Sequence, residues 1–160
     1  MSRESRAMNQ KNQLNETNPM NQKNQLNPLH RADETERVRI VEVVTDVLKQ
    51  EPAVSFAFLY GSFVEARAFH DVDVGVYLRA GVSGSDVASA LAVRLSDRAG
   101  VPVDVRVIND APISFLYHVL RGQLVLSRDD ALLGEVMERT AGRYLDIEPL
   151  LRRGAKEAFA

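Results

Sequence analysis

Two aspartates separated by a single valine, Asp71 and Asp73, stand inside a run of apolar residues that is typical of a buried strand. Burying one carboxylate is costly, and burying two neighbours costs more, because like charges repel and both lose their water. Side chains alternate along a strand, so both carboxylates are predicted to lie on one face, roughly 7 Å apart. A divalent cation bound there would remove the repulsion between them.

A third carboxylate, that of Asp104, lies on a later predicted strand with the same alternation of polar and apolar residues. If that strand neighbours the first, Asp104 joins the same face of the sheet. Three carboxylates on a small sheet can hold one or two Mg²⁺ ions for an in-line displacement at phosphorus. Asp71, Asp73 and Asp104 are therefore candidates for metal binding and catalysis.

Gly61 and Ser62 stand where an earlier strand ends and a helix is predicted to begin. Glycine lets the backbone approach a phosphate closely, and the following amides and the Ser62 hydroxyl can donate to it. Metal ions and this turn would hold the two ends of a triphosphate, as nucleotidyl transfer requires. Arg106 shares the predicted face of Asp104, and two interpretations are open: contact with the triphosphate, or an ion pair with a site aspartate.

Two residues near these motifs have competing interpretations as well. Tyr60, directly before the turn, either stacks on a nucleotide base or packs in the core, and the core is favoured. His118 lies on a predicted helix and is interpreted as a packing or surface residue.

The elements that must position these residues follow from hydrophobic periodicity. Helices are predicted from Asp33 to near Gln50, around 87–95 with an end before Gly100, after Pro112, around 132–137 and around 144–151. Strands or extended segments are predicted at 53–60, 71–79, 101–108 and 123–126. Strands alternating with helices indicate α/β or α+β packing around a single sheet.

The first 32 residues have a different composition from the rest of the chain. The segment MNQKNQLN occurs at 8–15 and again at 20–27. Such Asn/Gln-rich sequence has too few large apolar residues to offset the entropy of ordering. We expect a disordered tail at 1–32 and one folded domain at 33–160.

Composition excludes several classes of function. The 160 residues include no cysteine, so disulfides, thiolate zinc sites and cysteine nucleophiles are excluded. No apolar run suits a membrane span or a signal peptide, and a cytoplasmic location is the expectation. Residues 1–32 carry a net charge of +3 and the remainder −5. This acidic remainder argues against direct nucleic-acid binding as the main function.

Taken together, these motifs resemble the minimal nucleotidyltransferase (MNT) group of the DNA polymerase β-like nucleotidyltransferase superfamily. The resemblance covers roughly residues 35–155 and rests on LYGS at 59–62, DVDVGVYL at 71–78 and VDVRVIND at 103–110. The stretches at 111–130 and 143–153 also resemble the C-terminal part of small MNT proteins.

The resemblance implies a palm with a small mixed sheet flanked by helices, with C-terminal helices after it. It implies ATP as nucleotide donor, Mg²⁺ held by Asp71, Asp73 and Asp104, and phosphate contacts from Gly61 and Ser62. Asp104 would help to deprotonate the attacking hydroxyl. Many small members are antitoxins that transfer AMP onto a tyrosine of a HEPN-domain ribonuclease toxin, and we expect such a partner here.

Two alternatives are kept. One is a nucleotidyltransferase acting on a small molecule such as an aminoglycoside, although the helices after Pro112 are short for enclosing a drug. The other is a non-catalytic antitoxin that neutralises its partner by binding. The loop at 63–70 is shorter than is usual in the family, which leaves the donor preference open, and homo- and hetero-oligomers are both open.

Overall fold

The elements follow the alternation of helical and strand patterns along the chain. The computed structural model describes residues 28–158. In that part the elements are, in order, β1 (His30–Arg31), α1 (Glu34–Lys49), β2 (Val54–Tyr60), α2 (Ser62–Glu65), β3 (Ala68–Phe69), β4 (Val72–Leu78), α3 (Gly84–Ala99), β5 (Val103–Val107), α4 (Ile113–Leu120), β6 (Gln123–Ser127) and α5 (Asp130–Ala158). Asp33 caps α1 as its position predicts, since its carboxylate accepts a hydrogen bond from the Glu36 amide at 2.9 Å.

Four strands form one mixed sheet in the order β5-β4-β2-β6. β2 runs antiparallel to both β4 and β6, whereas β4 and β5 are parallel. A parallel pair needs a long crossover, and α3 supplies it. The predicted fold class, α/β (α+β) with a small mixed sheet flanked by helices, is confirmed.

Helices cover both faces of this sheet. On one face, α1 and α3 pack against the valines of β4 and β5 in the larger apolar core. On the other face, α4 and the start of α5 pack against the aromatic residues of β2. Side chains alternate along β4, so Asp73 shares this second face with Tyr60. The aspartates therefore lie beside the part of the face that α4 covers.

The last helix differs from the prediction. Two helices were expected, around 132–137 and 144–151, but the chain forms one continuous helix, α5, with Pro149 inside it. The only break signal between them is Gly142, and a glycine costs a helix interior about 1 kcal/mol relative to alanine, which does not end it. Despite its length, α5 lacks the apolar character needed to cross a bilayer, and the same holds for the other helices of the described chain.

Residues 28–32 lead into the domain. His30–Arg31 form β1, which pairs antiparallel with Ala68–Phe69 of β3 in a separate two-stranded sheet. The repeat that defines the predicted tail lies outside the described residues, so its disorder and the domain boundary stay predictions. β1 nevertheless places the chain just before α1 against the loop that precedes the aspartates.

Candidate active site

The three carboxylates come from two neighbouring strands. Asp71 directly precedes β4, Asp73 lies within it, and Asp104 lies on β5. In the parallel register Asp73 is paired with Asp104. The structure thus places β5 beside β4, as the predicted site requires, and all three side chains are partly buried.

Gly61 brings the turn directly onto one of these carboxylates. It ends β2 and caps the short helix α2, with φ 72° and ψ −156°, a region of backbone conformation that is essentially restricted to glycine. A Cβ added at Gly61 would clash with Oδ2 of Asp73 and would lie 3.3 Å from its Cγ. The Gly61–Ser62 turn and Asp73 therefore belong to one cluster.

The surroundings of Asp73 disfavour its ionised form. Burial raises the pKa of Asp73 from 3.8 to about 6, and the charges of Asp71 and Asp104 act in the same direction. Arg106 and His118 oppose this rise in the pKa of Asp73. Negative charge thus remains incompletely compensated at Asp73, which is the condition that a bound cation would relieve.

Arg106 occupies one of its two predicted roles. Its Nε donates to Oδ2 of Asp104 at 2.9 Å, and 60% of the Arg106 side chain stays exposed. This is the ion pair with a site aspartate. Contact between Arg106 and a triphosphate stays a prediction.

The fit of a metal ion rests on the chemistry of the donors. Within residues 28–158, no group of three or more His, Asp or Glu side chains is already arranged to hold a metal ion. Asp104 is engaged by Arg106, while Asp71 and Asp73 offer carboxylate oxygens, which Mg²⁺ prefers. The donor set therefore fits Mg²⁺ in chemical type, and the metal role of these residues stays a prediction.

Tyr60 and His118 extend the site beyond the motifs. Tyr60 is paired with Asp73 across β2 and β4 and is only 5% exposed, which agrees with the favoured core interpretation. The rings of Phe115 and His118 meet the Tyr60 ring edge-on, with centroids 5.7 and 5.8 Å away. His118 was not predicted to act near the site, because nothing in the sequence shows that α4 packs on this face.

The hydroxyl of Tyr60 is buried without a hydrogen-bond partner among the described residues. Burial raises the pKa of Tyr60 to about 12, and the charge of Asp73 adds to the effect. We expect Tyr60→Phe to leave the free energy of unfolding unchanged or to raise it by about 1 kcal/mol, because an unpaired buried polar group is removed. Urea unfolding measures this.

Tyr77→Phe is the control for that substitution. Tyr77 lies on β4, on the same face of the sheet as Tyr60, and is only partly buried. We expect it to change the free energy of unfolding little. A clear loss of stability in Tyr60→Phe alone would contradict the prediction, because it would mean that the hydroxyl is bonded in solution.

The candidate site lies in a part of the chain that matches a known protein family. The profile of the family described as "Polymerase beta, Nucleotidyltransferase" matches residues 42–131, a range that contains the Gly61 turn and all three aspartates. No match is found among curated proteins.

Solved structures with the same fold include toxin–antitoxin complexes. One is the tri-AMPylated HEPN toxin of Shewanella oneidensis in complex with an MNT antitoxin, with 16% identity, a TM-score of 0.57, and coverage of 79% of this chain and 98% of that one. The MntA–HepT toxin–antitoxin has 15% identity, a TM-score of 0.57, and coverage of 80% and 100%. A toxin–antitoxin with AMP-PNP has 17% identity, a TM-score of 0.61, and coverage of 75% and 98%. At such identities the likeness shows a shared fold.

Proposed function

Because the chain belongs to the polymerase beta nucleotidyltransferase family, we propose that it transfers AMP from ATP to a hydroxyl group of a protein. One observation carries the proposal: a glycine turn rests directly on Asp73, which is paired in register with Asp104. A phosphate-binding turn and a pair of carboxylates at one point are what nucleotidyl transfer requires.

Each residue has a proposed role in that reaction. Asp71, Asp73 and Asp104 would hold Mg²⁺, which when bound neutralises charge on the phosphate oxygens. Gly61 and Ser62 would contact the phosphates, and Arg106 would add positive charge. Asp104 would accept the proton of the acceptor hydroxyl. The acceptor oxygen then bonds to the α-phosphorus, the bond between the α- and β-phosphates breaks, and pyrophosphate leaves.

The proposed acceptor is a tyrosine of a HEPN-domain toxin, and the proposed setting is the cytoplasm. Support comes from the shared fold with MNT antitoxins in complex with HEPN toxins. One of these complexes contains an AMPylated toxin. The proposal that this chain has such a partner rests on that likeness and on the sequence motifs.

Transfer of label from α-labelled ATP tests the proposal, with Mg²⁺ and the HEPN-domain product of a neighbouring gene as acceptor. We expect the wild type to label the acceptor. Asp104→Asn should reduce the rate at least about 100-fold, the lower end of what a general base contributes. Mass spectrometry of the labelled acceptor should locate AMP on a tyrosine.

A non-catalytic antitoxin is the second candidate, and the ion pair between Arg106 and Asp104 favours it, because it occupies a proposed metal ligand. This candidate predicts a stable complex with the partner, seen by size-exclusion chromatography. It also predicts that neither the wild type nor Asp104→Asn labels the acceptor. Label with the wild type alone excludes it.

A further inference from the structure

Arg37, on α1, connects that helix to the loop behind the Gly61–Ser62 turn. Its Nη1 donates to the carbonyl oxygen of Phe63, and its Nη2 donates to that of Ala66 at 2.6 Å. Ala66 is the C-terminal cap of α2, and the last carbonyl groups of a helix lack partners within the helix. A charged donor with two parallel N–H groups thus closes the end of a helix that has only four residues.

The same guanidinium also lies over two buried aromatic rings. Its Cζ is 5.1 Å from the ring centroid of Phe63 and 5.5 Å from that of Phe69, within the range of cation–π attraction. The two rings meet edge-on at 5.0 Å, and His30 of β1 stacks on Phe69 at 5.6 Å. Arg37 therefore binds both ends of the loop that separates the turn from the aspartates.

That loop has little freedom to place the turn by itself. Residues 63–70 are all that separate Ser62 from Asp71, and Gly61 already lies in contact with Asp73. A shift of α2 away from α1 would move Gly61 relative to that carboxylate. We propose that Arg37 is a positioning residue for the nucleotide-binding turn, holding Gly61 and Ser62 at Asp73 through its bonds to Phe63 and Ala66. The inference rests on the proposed function of the turn.

Arg39 offers a matched control on the same helix. Its Nη2 donates to the carbonyl oxygen of Ala99 at 2.7 Å and also bonds to Glu36. Like Arg37, it ties α1 to a backbone carbonyl of another element, but at the end of α3 rather than at the turn. Arg37→Gln and Arg39→Gln therefore remove similar bonds at different places.

The first readout needs no substrate. In ¹H–¹⁵N NMR spectra of the free protein, Arg37→Gln is expected to shift or broaden the amide signals of Gly61 and Ser62, and Arg39→Gln to leave them in place. Arg37→Lys, which can reach only one carbonyl, should give smaller changes and keeps the test valid if Arg37→Gln does not fold. Unchanged Gly61 and Ser62 signals in both Arg37 variants would overturn the inference.

The second readout is the transfer reaction. Arg37→Gln is expected to raise the KM for ATP about tenfold, by analogy with the lower end of the losses seen when a residue that orients a metal ligand is removed. The kcat should change less, and Arg37→Lys should recover part of the loss. An equal rise in Arg39→Gln would overturn the inference, since it would show general destabilisation. If the wild type transfers no nucleotide, the proposed function fails, and the NMR comparison still decides the role of Arg37.

Discussion

Asp73→Asn is expected to abolish nucleotide transfer and to make the folded chain more stable at neutral pH. Asparagine keeps the shape of aspartate but cannot supply a negative oxygen, so the rate should fall at least about 100-fold. The gain in stability follows from the surroundings of Asp73, where burial and the charges of Asp71 and Asp104 disfavour the ionised form. The two effects have opposite signs, which separates loss of function from loss of fold.

The pH dependence of the free energy of unfolding provides a second test of this prediction. The folded state raises the pKa of Asp73 from 3.8 to about 6, so the folded chain holds this proton more tightly than the unfolded chain does. The contribution of Asp73 to stability is therefore greatest below pH 3.8, falls as the pH rises to about 6, and stays low above that value. In Asp73→Asn this part of the pH dependence should be missing.

Urea unfolding from pH 4 to 8 measures the effect. One pKa unit corresponds to about 1.4 kcal/mol, and solvent screening at a partly exposed group reduces it, so a gain of about 1–2 kcal/mol is expected near pH 7. Asp110→Asn, at an exposed aspartate after β5, should change neither the profile nor the rate. Retained transfer in Asp73→Asn would contradict the proposed site. A loss of stability would show that the carboxylate has a favourable partner.

The alternation of side chains explains how much of this site was predictable. A period of two puts Asp71 and Asp73 on one face, and the same pattern in 101–108 made Asp104 a candidate for that face. The register that pairs Asp73 with Asp104 shows that β4 and β5 are neighbours, which the sequence left as a condition. Periodicity is a local property, so it predicted which face of each strand a side chain occupies but not which strands are neighbours.

Contacts between distant elements were not predictable in the same way. Arg37 is separated from Phe63 and Ala66 by 26 and 29 positions, and a bond to a backbone carbonyl requires no particular residue type at the acceptor. His118 contacts Tyr60 only because α4 packs on the face of the sheet that carries Asp73. The burial of Thr140 on α5, which is 1% exposed, likewise depends on packing between elements.

Gly61→Ala is expected to lower both stability and nucleotide binding. Alanine at φ 72° and ψ −156° pays about 1–3 kcal/mol of backbone strain. Its Cβ would also clash with Oδ2 of Asp73, so the turn and the carboxylate must move apart. Because the proposed phosphate and metal contacts lie on these two groups, ATP affinity measured by calorimetry should fall at least about tenfold, which corresponds to 1.4 kcal/mol.

Gly81→Ala separates the strain from the clash. Gly81 also has a positive φ, of 80°, but nothing lies within 4 Å of an added Cβ. Its substitution should lower stability through strain and leave ATP affinity unchanged. Equal losses of ATP affinity in the two glycine variants would contradict a specific role for the turn.

The clash itself can be tested by a double-mutant cycle between Gly61 and Asp73. In an Asp73→Ala background the carboxylate oxygen that the new Cβ would meet is gone, whereas the strain of the backbone at position 61 remains. Gly61→Ala should therefore destabilise the Asp73→Ala chain less than the wild type, and the difference in unfolding free energy is the coupling between the two residues. Zero coupling would mean that the turn and the carboxylate are independent. That result would contradict the close contact between Gly61 and Asp73 on which the shared cluster rests.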